Sequence, residues 1–154
     1  MVAAPMEDLS TVLIVVGLAI VDQSGRVLMQ KRPPDKAHGG LWEFPGGKVE
    51  PGESCESAVV RETDEELGVT IDLSDLAPVS FAVGSTIGGE RPLLLLLYAT
   101  FKWEGEPQPR EAGSAIAWFA PAQLPGLAMP PLDVPLAQAL IRFLEGVAKA
   151  ESAP

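Results

Sequence analysis

Apolar residues in this chain come in short dense bursts, divided by turn-forming clusters, and two later stretches change to a helical period. The first burst, "TVLIVVGLAIV" over Thr11 to Val21, is rich in β-branched residues and reads as a strand. A turn, "DQSG" at 22–25, leads into "RVLMQKR" at 26–32, where Val27 and Met29 alternate with Leu28 and Gln30. Together the two segments predict a β-hairpin. "PPDKAHGG" at 33–40 is a loop, "LWEF" at 41–44 a short strand, and "PGGKVEPGE" at 45–53 a glycine-rich connection. Ser54 to Leu67 predicts a helix that stops at Gly68. Strands are expected again over 78–83, 91–103 and 115–119, the middle one apolar enough for burial on both faces. After a Pro-rich stretch, residues 134–148 predict a second helix with Leu136, Leu140, Phe143, Leu144 and Val147 on one face. The first ten residues and those from about 149 to 154 are expected to be frayed ends. No repeat or second domain is visible. The expectation is one α/β (α+β) domain over 1–154, a mixed β-sheet sandwiched between helices as α/β/α.

Composition narrows what such a domain does. At 154 residues the chain can bury a substantial core, and its 47% hydrophobic and 21% charged residues are ordinary globular values. A single cysteine, Cys55, excludes an internal disulfide and suits a reducing compartment. With one histidine beside it, His38, the chain also lacks the ligands of a zinc site. The formal net charge of −10 argues against a long nucleic acid as partner. A single nucleotide remains compatible, because a metal ion can carry its charge. The opening apolar run is too short for the ~20 residues of a membrane helix and has no basic residues ahead of it. A cytoplasmic protein without a membrane partner is the expectation.

One stretch resists a bland reading. "VRETDEELGV" at 60–69 puts four carboxylates into five positions of an already acidic chain. Like charges on one helical turn repel by a few tenths of a kcal/mol per pair. On a helical wheel Glu62, Glu65 and Glu66 fall within ~100° of one another, at the edge of the stripe made by Val59, Thr63 and Leu67. Asp64 points elsewhere. Arg61 stands beside the acidic set, where it can orient carboxylates. The glycines ahead of the helix let main chain approach a ligand closely. Carboxylates at this spacing suit oxygen-seeking divalent cations.

The span Gly47-x5-Glu53-x7-Arg61-Glu62-Thr63-x-Glu65-Glu66-x-Gly68-Val69 resembles the Nudix box, G-x5-E-x7-R-E-U-x-E-E-x-G-U, with U a bulky aliphatic residue. Thr63 is the one departure, at a position the wheel assigns to the core. Threonine is close to valine in shape, so the change falls on packing and not on chemistry. The resemblance implies the Nudix fold, a nucleoside-diphosphate-linked substrate, and hydrolysis of a pyrophosphate bond with Mg²⁺, or alternatively Mn²⁺. It also implies metal ligation by Glu62, Glu65 and Glu66 together with Gly46. Glu53 and Arg61 would support them, and Glu62 would help take the proton of the attacking water.

Outside the box, "KRPPDKAHGGLWEFPGGKVEPGES" is similar to MutT-type nucleoside triphosphate pyrophosphohydrolases. That likeness implies substrate contacts at Arg32, Glu43, Phe44 and Lys48. "WEGEPQPREAG" implies a further metal-associated carboxylate at Glu111, and "MPPLDVPLAQAL" a base-reading residue at Asp133. Plainer readings stand beside these: core for Phe44, surface charge for Arg32 and Glu111, and a helix cap for Asp133. The family's 8-oxo-dGTP-cleaving archetype has asparagine at the last position, whereas relatives similar to CTP and methylated-dCTP pyrophosphohydrolases have aspartate. An ionised carboxylate only accepts hydrogen bonds, so it suits N1–H and N2–H of a guanine-type edge or N4–H of cytosine. The expected activity is Mg-dependent cleavage of a nucleoside triphosphate to monophosphate and pyrophosphate, in nucleotide-pool sanitation, by a monomer or homodimer. The alternative is a catalytically silent Nudix-like binding or interaction module; such modules typically lose box carboxylates, and here all four are present.

Overall fold

The computed structural model describes residues 11–154, so the expected fraying of residues 1–10 lies outside it. Strands β1 (Leu13–Ile20), β4 (Gly46–Lys48), β5 (Ala77–Ser85) and β6 (Pro92–Thr100) make a mixed sheet in the order β4-β1-β6-β5. Within it β1 and β6 are parallel, with Leu13 opposite Leu93, and the other pairs are antiparallel. A second, antiparallel sheet has the order β3-β2-β7, from Val27–Lys31 (β2), Trp42–Glu43 (β3) and Ala115–Phe119 (β7). Helix α1 (Cys55–Leu67) and helix α2 (Asp133–Ser152) cover opposite faces of the mixed sheet.

Period-two alternation along β1 decides which helix each side chain meets. Val16, Leu18 and Ile20 pack with Ala58, Val59 and Leu67 of α1. Ala19 and Val21 join Leu97, Ala99 and, from α2, Leu136, Ala137 and Leu140. The expected α/β/α sandwich is therefore present. Helix α1 starts at Ser54, whose side chain accepts from Ser57 N, and ends at Gly68 in the left-handed conformation at φ 73°. Thr63 is fully buried in the core stripe, and its hydroxyl donates to the Val59 carbonyl at 2.6 Å.

Four expectations need correction. The turn at 22–25 forms, with Asp22 accepting from the Arg26 backbone and guanidinium, but β1 and β2 meet only at the Val21–Val27 bridge and then enter different sheets. Positions 18–21 and 27–30 are all buried, so each strand needs partners and cover on both sides, which a lone hairpin does not supply. The glycine-rich connection contains β4, which pairs Gly46 with Gly17. Burial of the 91–103 run on both faces holds only from Leu97 to Thr100; residues 93–96 are half-buried. Finally, α2 continues to Ser152, through the stretch expected to fray.

Because the Thr63 hydroxyl is satisfied inside its own helix, Thr63→Val is expected to change stability in urea unfolding by less than about 1 kcal/mol. A larger loss would give that hydroxyl a role beyond its helix.

Candidate active site

The acidic stretch of α1 is organised by one guanidinium. Arg61 grips Glu53 with a two-pronged contact, Nε to Oε2 at 2.8 Å and a second nitrogen to Oε1 at 2.9 Å. Another nitrogen donates to Glu62 Oε1 at 2.8 Å and reaches Glu65 Oε2 at 3.4 Å. A bond to the Lys48 carbonyl at 3.0 Å ties the helix to β4. These contacts hold Glu53 at a pKa of about 2, with Arg61 the main cause and the Glu50 N–H the next. Glu53 and Arg61 thus lock the orientation of Glu62, as a planar fork can.

Glu66 turns the other way, inward. It accepts from Gly46 N at 3.1 Å, and burial pushes its pKa up to about 8, with repulsion from Glu62, Glu43 and Glu111 adding to the effect. Burial also raises Glu62 above the usual carboxylate range, against the pull of Arg61. The glycines of β4 make this approach feasible. A Cβ on Gly47 would fall on the Glu62 carboxylate, and one on Gly46 would strike the Val16 carbonyl oxygen. Among the described residues no three carboxylates converge into a ready-made metal cluster; Glu62 and Glu65 lean to Arg61 and Glu66 to Gly46. The donors nevertheless fit a hard divalent cation. All are oxygens, and Glu66, where Glu62, Glu43 and Glu111 add repulsion to burial, has no arginine acting on it among the described residues.

Gly46 and Gly47 also line a cleft of about 590 Å³ that opens between the two sheets' ends and α2. Leu93, Leu95 and Leu97 of β6 form one wall, and Pro130, Pro131 and Leu132 stand ahead of α2. Its polar groups are few. Arg32 pairs with Glu43 at 3.0 Å, and Lys48, His38 and Ser85 sit on the lining. Burial raises the Glu43 pKa, Arg32 opposing and Glu111 adding to the rise. Asp133, only 6% exposed, accepts from Phe44 N at 3.1 Å through Oδ2. Burial pushes its pKa up to about 7, and the Glu43 charge contributes.

The residues expected from sequence thus come together in two adjoining groups. Glu53, Arg61, Glu62, Glu65 and Glu66 form the acidic end, and Arg32, Glu43, Phe44, Lys48 and Asp133 line the cleft, with Gly46 shared between them. Phe44 is both lining and core, 6% exposed and packed in the α2-side cluster. Asp133 opens α2, but its carboxylate bonds Phe44 across the chain and caps none of its own helix. Glu111 is exposed on the loop after β6, close enough to act electrostatically on Glu43 and Glu66. Two contributors escaped the sequence reading. The leucines of β6 read as plain core, and with leucine at every position from 93 to 97 no alternation marks Leu93, Leu95 and Leu97 as one shared face. Arg110, whose guanidinium lies against Gly68 at the end of α1, carried no signal at all.

The Asp133 environment has a consequence for stability. Its pKa rises from the ordinary 3.8 to about 7, so the folded protein keeps a proton that the unfolded chain releases between those values. The contribution is complete below the unfolded pKa and is lost as pH rises through the folded one. Asp133→Asn, measured in EDTA, is expected to flatten the fall in thermal stability between about pH 4 and pH 7 and to gain roughly 2–4 kcal/mol above that window. Parallel profiles for parent and variant would show that no proton is held there.

Comparison with known proteins agrees with this geometry. The NUDIX domain pattern matches residues 12–143. The CTP pyrophosphohydrolase of Escherichia coli K12 is 33% identical over 129 residues, covering 84% of this chain and 92% of that protein. The 8-oxo-dGTP diphosphatase of the same strain is 33% identical over 133 residues, covering 84% and 96%. The solution structure of the E. coli ORF135 protein superimposes with a TM-score of 0.76 at 29% identity, covering 98% of this chain and all of that one. An acidic helix locked by one arginine, set against a nucleotide-sized cleft and matched by the domain pattern over nearly its whole length, places this chain in the Nudix family of hydrolases that act on acid anhydrides.

Proposed function

We propose that the protein hydrolyses a nucleoside triphosphate to the monophosphate and pyrophosphate, using Mg²⁺ or Mn²⁺, in sanitation of the nucleotide pool. One observation carries the reading: the carboxylates of α1, with Glu66 buried and no arginine acting on it among the described residues, adjoin, through Gly46 and Gly47, an apolar cleft large enough for a nucleoside. The cleft takes base and sugar against Leu93, Leu95, Leu97 and Phe44, and the phosphates extend over the two glycines toward the acidic end. Arg32 and Lys48 are the cations on that route. Glu62, Glu65, Glu66, the Gly46 main chain and Glu111 would hold the divalent cations. Bound there, such ions offset the phosphate charge and lower the pKa of water.

The protein's own groups have distinct tasks. Arg61 and Glu53 fix the direction of Glu62, and Glu62 receives the proton of the water that attacks the β-phosphorus. Arg61 holds the Glu62 carboxylate by one oxygen at 2.8 Å, which fixes the group's direction as a proton acceptor. Asp133 reads the base with the oxygen not engaged by Phe44 N. Near neutral pH the group is present both ionised and protonated. Ionised, it accepts from a guanine-type edge or from cytosine N4–H, and protonated, it also donates to cytosine N3. Oxidised guanine and cytosine nucleotides are therefore the two candidate substrates, favoured also by the relatives' names.

Release of pyrophosphate from a panel of nucleoside triphosphates, with Mg²⁺ and with EDTA, tests this directly. In ¹⁸O-water the label is expected in pyrophosphate; label in the monophosphate would move the attack to the α-phosphorus. Glu66→Gln keeps the shape and removes a charge, and turnover is expected to fall at least 100-fold, about 2.7 kcal/mol of barrier. Activity within threefold of the parent would remove Glu66 from the ligand set. Asp133→Asn is expected to reorder the nucleotides by ~1–3 kcal/mol while leaving the metal requirement intact. An equal loss for every nucleotide would make Asp133 a scaffold residue.

A further inference from the structure

The last turn of α1 has a charge problem that the helix does not solve itself. Asp64, Glu65 and Glu66 stand there without any basic residue in the turn, although the carbonyl end of a helix favours cations. The cation arrives from a distant loop. Arg110 donates through a terminal nitrogen to the Asp64 carbonyl at 3.2 Å. Its guanidinium lies over Gly68 so closely that a Cβ at that glycine would collide with it. Gly68 therefore does two things: it takes the left-handed turn at φ 73° and leaves room for the arginine.

The main chain of the same loop is fastened to the same helix end. Arg110 N donates to the Glu66 carbonyl and Gln108 N to the Leu67 carbonyl, each at 3.0 Å. Just beyond the helix, Thr70 and Glu104 exchange both backbone bonds at 2.9 Å. Residues 104–110 are thus stitched along the last carbonyls of α1, and the next residue is Glu111. The Glu111 main chain is held on its far side by Ser114, whose N–H and hydroxyl donate to its carbonyl, but its exposed carboxylate is repelled by Glu43 and Glu66. Something must hold it against that repulsion.

We propose that Arg110 is a positioning residue: its grip on the end of α1 holds Glu111 at the acidic site, so that a carboxylate from a second element faces those of the helix. The reading of Glu111 as a metal-associated group rests on the proposed function; the clamp itself rests on the bonds at Asp64, Glu66 and Leu67. Arg110 touches neither substrate nor metal and acts only through Glu111.

Arg110→Ala, Glu111→Gln and the double variant test this. In the metal-free protein, the amides of Gln108 and Arg110 are expected to exchange with solvent at least tenfold faster in Arg110→Ala, with the first half of α1 unchanged. Mn²⁺ binding, followed by the electron paramagnetic resonance of the free ion, is expected to weaken three- to tenfold in either single variant. The double variant should be no weaker than Glu111→Gln alone, because Arg110 has nothing left to position. Half-saturating metal for turnover should rise in Arg110→Ala while the nucleotide KM stays within twofold. Unchanged amide exchange, unchanged Mn²⁺ affinity in Arg110→Ala, or losses that add in the double variant would each overturn the clamp. A parent protein that binds Mn²⁺ in those cases leaves the functional reading standing, whereas a parent that binds none overturns both.

Discussion

Repulsion among buried or half-buried carboxylates is the constraint on which the rest of this structure depends. At Glu66 it adds to burial: burial chiefly, with three acidic neighbours contributing, brings its pKa to about 8, so near neutral pH the group competes between holding a proton and holding a cation. A helix placing Glu62, Glu65 and Glu66 on adjoining positions would be a poor choice for stability alone. The fold tolerates it because α1 is anchored elsewhere. Ala58, Val59, Thr63 and Leu67 are buried against the sheet, and that packing offsets the charge cost many times over. Site and core share one helix, on neighbouring stripes.

Two arginines divide the compensation that the protein does supply. Arg61 is central, spanning Glu53, Glu62 and the Lys48 carbonyl, and it holds the helix to β4 as much as it balances charge. Arg110 sits at the far end, on carbonyl groups. Between them, among the described residues, Glu66 stays without a cationic partner, and it is the carboxylate that accepts from Gly46 of β4. The architecture resembles other preorganised sites in that rigid elements supply the reactive groups while backbone without side chains supplies access. The cleft follows from the same economy. Apolar walls from β6 and the segment before α2 line it, and burial among them raises the Glu43 and Asp133 pKa values against the opposing pull of Arg32.

Much of this was legible in the amino-acid sequence. Helix α1, its stop at Gly68, the placement of Thr63 in the core and the acidic edge beside it all follow from a period of 3.6 and from spacing within a few turns. The strands other than β4 were visible in the sequence, and the grouping of Glu53, Arg61 and Glu62 followed from a local pattern. These are short-range properties, fixed by neighbours in the chain. Charge and cysteine count likewise limited the chemistry to oxygen ligands before any fold was known.

What escaped was decided by contacts between distant segments. The alternation of β1 and β2 described two strands correctly, but their assignment to separate sheets depends on which strands later in the chain cover them, and periodicity is silent on that. Glycines at 46 and 47 suggest a flexible connection until β1 and Glu62 are placed against them. The same holds for Asp133, whose bond to Phe44 N crosses 89 positions of sequence, and for Arg110, an ordinary loop residue until it lands on the end of α1. The sequence by itself determined local conformation and the stock of charged groups, because those depend on side chains a few residues apart. Only the tertiary structure decided which charges meet, which are buried and how strongly they oppose one another, because dielectric surroundings and long-range packing exist only once the chain has folded.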